Sequence, residues 1–131
     1  MFLSKLSYKQ RKIFLGIAKE ILITDDGTVD IFEEEYLRGL CQEMSLSYKD
    51  EVLLHKEQLK DFFIDENHKK ILFIEIVALA YSNRNYHQLQ KEYIENLCEI
   101  LNFDKNDILG IKEYIKSFFD LQDSLIKYIG D

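Results

Sequence analysis

Apolar residues recur at helical spacing along nearly the whole chain. In a first segment, about Ser7 to Ile23, Ile13, Phe14, Ile17, Ile21 and Leu22 share one face. The segment stops at Thr24-Asp25-Asp26-Gly27-Thr28, a turn cluster whose glycine suits positive φ. A second helix is predicted from Asp30, with Phe32, Tyr36, Leu37, Leu40, Cys41 and Met44 on its apolar face and Asp30–Glu33 spaced as a capping box. A third is predicted after Ser47, burying Val52, Leu53, Leu59, Phe62 and Phe63. Asp65-Glu66-Asn67 reads as a turn, and a strongly apolar helix follows from about His68 to Tyr81. After the polar turn Ser82-Asn83-Arg84-Asn85 come helices from about His87 to Leu101 and from Asp104 onward. A last short helix, about Gln122 to Ile129, is expected to pack back on the rest. No stretch alternates with period two for long enough to predict a strand.

Sliding the chain against itself by 57 residues brings apolar positions into register. Glu35-Tyr36-Leu37 falls on Glu92-Tyr93-Ile94, Leu40-Cys41 on Leu97-Cys98, Met44 on Leu101 and Leu46 on Phe103. Upstream, Leu15, Ile17 and Leu22 fall on Leu72, Ile74 and Leu79, so that both polar turns align without a gap. The pattern predicts an all-α fold: a compact bundle of six to seven helices from a duplicated unit (about 13–65 and 70–120) related by a pseudo-twofold.

Composition agrees with that architecture. The 131 residues suit a single domain, and an apolar fraction of 47% suffices for a core. With no proline and five glycines, long helices are unbroken and the many turns of a sandwich are not provided for. The net charge of −7 disfavours nucleic acid unless a basic patch is segregated. Lys5, Lys9, Arg11, Lys12 and the Lys69–Lys70 pair read as solvated helix surface without interleaved exposed aromatics. The opening residues carry no apolar export signal, and the apolar run Ile71 to Ala80, interrupted by Glu75, is too short to insert in a bilayer. Together with two cysteines outside any C-x-x-C motif, this points to the cytoplasm.

Candidate chemistry concentrates between Asp25 and Glu35, where six acids flank Gly27. In an EF-hand register with Gly27 at the sixth loop position, Glu33 occupies the twelfth, but Leu22 and Thr24 stand where the first ligands belong. A standard EF-hand is excluded. A looser site for a divalent cation (Ca or Mg) built from Asp25, Asp26 and Glu33 remains, beside the alternative that the acids cap and favour the positive end of a helix.

The element Asp26-Gly27-x-Val29-x-x-x-Glu33, with the stretch Ile17 to Leu40 and its repetition over about 71–111, resembles the TerB-like (tellurite-resistance) family. The resemblance implies a single duplicated all-α domain over residues 1–131, a cytoplasmic role in stress response or scaffolding, and Asp26 and Glu33 as cation ligands. The second unit departs from the pattern, with Asn83, Arg84 and Gln90 replacing Asp26, Gly27 and Glu33. Any cation is therefore expected in the first unit alone.

Elsewhere the chain offers little chemistry. Glu35 and Glu92 match across the repeat and are expected either to share a cleft or, as surface residues, to pair locally, Glu35 with Arg38. Cys41 and Cys98 read as buried small hydrophobes, and the three histidines have no metal-binding spacing. No phosphate loop, nucleophile elbow or Cys/His dyad is present. The expectation is a non-catalytic interaction module whose partner is another protein or a second copy of the chain, without nucleic acid and without insertion into membranes. A cation-binding or cation-sensing protein is the alternative, with a metal-assisted hydrolase of scattered carboxylates behind both.

Overall fold

Most helices start where the sequence supplies a side chain to satisfy free backbone N–H groups. The computed structural model describes residues 1–24, 27, 29–82 and 87–130. Helix α1, Tyr8–Leu22, opens on a reciprocal box in which Gln10 N–H donates to Ser7 Oγ at 3.1 Å and Ser7 N–H donates to Gln10 Oε1 at 2.9 Å. Helix α2, Ile31–Met44, is capped by Asp30, whose carboxylate accepts from Phe32 N at 2.7 Å and Glu33 N at 3.4 Å. The Glu33 side chain turns inward, where its carboxylate still meets the Asp30 N–H, the return bond that the spacing predicts. Asp65 caps α3, Glu66–Ala80, and Asp104 caps α5, Lys105–Ile129. Helix α4, Gln88–Leu101, begins after His87 without a side-chain cap bond. Helices α2 and α4 both end on a left-handed residue, Ser45 (φ 58°) and Asn102 (φ 54°).

The described residues are all-helical: these five α-helices, a 3-10 helix at Lys56–Asp61 and a 3-10 turn at Leu3–Lys5. Helix α3 is the centre. From Leu72 to Ala80 every residue but Ile74 is buried, as suits a helix apolar on all sides. It touches α1, α2, α4, α5 and the N-terminal turn, and its Phe73 stacks on Phe103 with ring centroids 4.5 Å apart. Its Glu75 is fully buried and accepts from the Phe2 N–H and the Met1 ammonium, both at 2.9 Å. Glu43 on α2 also holds the Met1 ammonium, at 2.9 Å, and its other oxygen accepts from Leu3 N at 3.1 Å. The chain's beginning is thereby clamped over the core.

Two expected elements differ. The segment after Ser47 does not form an α-helix. Val52 N–H donates to the Lys12 carbonyl of α1 at 3.1 Å, so the segment lies along α1 and only Lys56–Asp61 coils. Gly16 permits this approach, since a Cβ there would sit 2.6 Å from the Val52 carbonyl oxygen. Leu59 and Phe63 are buried as expected, but Leu53 is 68% exposed. The break near Asp120 is also absent. With no proline or glycine between Ile111 and Ile129, α5 continues for 25 residues, and everything from Asp120 to Gly130 is exposed instead of packing back. No described helix is long and apolar enough to cross a membrane.

Candidate functional site

The acidic turn joins α1 to α2. Asp25 and Asp26 lie outside the described residues; Gly27, between them and α2, takes φ 81° as its place in the turn requires. Glu33 sits in the first turn of α2, yet it is 3% exposed. Its Oε2 accepts from Gln90 Nε2 in α4 at 3.2 Å, and the same Nε2 lies 3.4 Å from the Ile21 carbonyl at the end of α1. Gln90 is fully buried, and its Oε1 has no hydrogen-bond partner. Burial raises the Glu33 pKa above the usual carboxylate range; the Gln90 bond pulls the other way, and the nearby Asp30 charge adds to the rise. Glu33 is thus an interior carboxylate joined to a second helix rather than a solvent-facing one.

Gln90 is the residue that falls on Glu33 when the chain is slid by 57 positions. A second contact has the same character. Gln10 Nε2 and His68 Nδ1 lie 3.2 Å apart and are 58 positions apart. Helices α1 and α3 are 15 residues each, with both ends offset by 58; α2 and α4 are 14 each, with both ends offset by 57. The 57-residue offset therefore matches the ends of α2 and α4 but not those of α1 and α3, the α3–α4 connection being one residue shorter than the α1–α2 connection.

The other flagged residues are placed plainly. Glu35 and Glu92 are both exposed; Arg38 pairs with Glu34 at 3.4 Å rather than with Glu35, and Glu92 accepts from Gln88 at 3.4 Å. Cys41 and Cys98 are free and buried, and burial pushes the Cys98 thiol up to about 12. Among the described residues no group of three His, Cys, Asp or Glu side chains could hold a metal. The basic cluster is not bare surface. Arg11 donates to the carbonyls of Ser4, Leu6 and Met44, and Lys5, Lys9 and Lys12 lie over the rings of Phe2, Phe62 and Tyr8. Aromatics do accompany these cations in space, although the local sequence pattern concealed it.

Two grooves flank α3. One, of about 380 Å³, runs between α3 and the N-terminal turn past Phe2, His68 and Ile71. The other, of about 420 Å³, runs between α3 and α5 past Lys70, Ile74, Phe103, Gly110 and Tyr114. Beyond it α5 projects, with Leu121, Leu125 and Tyr128 exposed at 60%, 53% and 88%. The predicted helix break hid this feature in the sequence. Its signal was the lack of any break residue after Ile111. No protein-family description, curated protein or solved structure matches this chain.

Proposed function

We propose that this chain is a non-catalytic protein-interaction module of the TerB-like kind, built from two copies of one helical unit. The observation that carries the interaction role is the projecting half of α5, where Leu121, Leu125, Tyr128 and Ile129 stand in solvent beyond Phe119, the last residue of the helix buried in the core. An apolar helical arm of this length is stabilised by covering its face, not by propensity alone. The duplication draws support from the Glu33–Gln90 and Gln10–His68 contacts. Residues that touch their own counterparts are what a pseudo-twofold axis passing between them produces. A photo-cross-linking amino acid placed at Leu121 or Tyr128, with Glu57 as control, tests the role in cells. Discrete protein adducts from the α5 positions alone support it; labelling no different from the control overturns it.

A cation at Asp25, Asp26 and Glu33 is the second reading. Its support is the pair of buried oxygens, one on Glu33 and the orphan on Gln90, which a hard cation would satisfy. Ca or Mg at about 100 times its dissociation constant would add roughly 2.7 kcal/mol to the unfolding free energy. No rise in melting temperature with either ion rejects it.

A further inference from the structure

On α5, Tyr114, Phe118, Leu121, Leu125 and Tyr128 follow one another at intervals of four, three, four and three residues. That is the spacing of a seam against a second helix. All five are exposed, at 78%, 38%, 60%, 53% and 88%. Ile129, on the flank of this stripe, widens the face at 80%. Scaled from the roughly 150–250 Å² that a large aromatic side chain can bury, these six side chains expose on the order of 800 Å² per copy. A standard interface needs about 800 Å² per partner, and the largest apolar patch on an ordinary monomer is about 300–600 Å².

Between Tyr114 and Tyr128 the charges lie off the seam and cancel. Lys116 and Lys127 balance Asp120 and Asp123, whereas the whole chain carries −7. The seam's flanking positions, Ser117, Gln122 and Ser124, are uncharged. A second copy, repelled elsewhere by its own negative charge, meets no net charge here. The order Tyr-Phe-Leu-Leu-Tyr is also nearly palindromic. Reversed about Leu121, it sets Tyr114 opposite Tyr128, Phe118 within one residue of Leu125, and Leu121 opposite itself.

We propose that the chain forms a homodimer by antiparallel pairing of the projecting halves of α5, centred on Leu121. This deepens the interaction reading above and rests on it, by naming a second copy as the partner. The antiparallel sense places the two bodies at opposite ends of the helix pair. It also brings the tip of each arm to Tyr114 of the other copy, at the mouth of the groove between α3 and α5. Gly110, on that groove, has nothing within 4 Å of where a Cβ would stand, leaving room for the arriving tip.

Sedimentation of the intact chain from low to several hundred micromolar tests this. The expected result is a species of twice 15.6 kDa at high concentration. Leu121→Asp with Leu125→Asp is expected to abolish it while leaving the helical circular dichroism unchanged, because both positions are exposed. A second measurement does not depend on that variant folding. Leu121→Cys, facing its own copy, is expected to form an interchain disulfide on mild oxidation, and Lys116→Cys, off the seam, is not. A 15.6 kDa species at every concentration, a dimer that persists in the double aspartate variant, or equal cross-linking at both cysteine positions overturns the homodimer. A monomer that nevertheless cross-links through Leu121 to a different protein overturns the self-pairing and leaves the interaction module standing.

Discussion

The Gln90 side chain donates to the Glu33 carboxylate in the interior, Nε2 to Oε2 at 3.2 Å, joining the first turns of α4 and α2. The bond leaves Gln90 Oε1 buried and unpaired, and it does not cancel the cost of burying a negative charge. A protonated Glu33 has an O–H to offer, and the orphan oxygen belongs to the amide it already touches. The facing groups are Asp30 on the same turn, His87 at the start of α4 and the Ile21 carbonyl at the end of α1.

Glu33 therefore governs part of the acid response. Its folded pKa is raised, so the native state holds the proton more tightly than the unfolded chain, and stability from this group rises as pH falls through the folded value. Glu33→Gln keeps an acceptor and removes the charge. It is expected to be more stable than the parent at neutral pH, the advantage shrinking on acidification. Urea denaturation across that range in EDTA checks both; a variant less stable at neutral pH, with a constant gap, contradicts the account.

The ion pair between Met1 and Glu75 responds to base. Burial lowers the Met1 amine pKa, but hydrogen bonds and charge from Glu75 and Glu43 outweigh it and leave the value above 8.0. The stabilisation is fully present below the unfolded pKa and is lost as pH rises through the folded one. Glu75→Ala leaves the Met1 ammonium to Glu43 alone and the Phe2 N–H without its acceptor, and is expected to cost about 1–3 kcal/mol. Thermal melts should show the parent losing stability in mild alkali and the variant losing less.

Gly16 sets the path of the segment after Ser47. Gly16→Ala places a methyl 2.6 Å from the Val52 carbonyl oxygen, forcing that backbone away and weakening the Val52–Lys12 bond. The expected cost is about 1–3 kcal/mol despite alanine's better helix propensity. Stability equal to or above the parent in chemical denaturation shows that the segment yields freely.

Cys41 and Cys98 report global opening. Both are buried, and both thiols are raised by burial, Cys98 to about 12. In native buffer, labelling by a thiol reagent is expected to proceed at the unfolding-limited rate, both sites together. Fast labelling of one site marks a local opening around it.

The helices were legible in the chain because their signals are local. Ser7, Asp30, Asp65 and Asp104 supply caps within three residues of the groups they satisfy, and the apolar spacing of α1 to α5 is a property of each segment alone. The burial of Cys41 and Cys98 followed from the same spacing. What tertiary structure decided was where groups with a choice of partner spend it. Val52 N–H could bond within a helix or to Lys12, and Gly16 made the second available. Glu33 could face solvent or reach Gln90, and the meeting of α2 and α4 settled it. Glu75 looked like an interruption in an apolar run until the chain's own amine arrived beside it. The outward course of α5 has the same origin: its apolar positions predicted burial, but the core is closed at Phe119, and nothing in the local pattern says where a core ends.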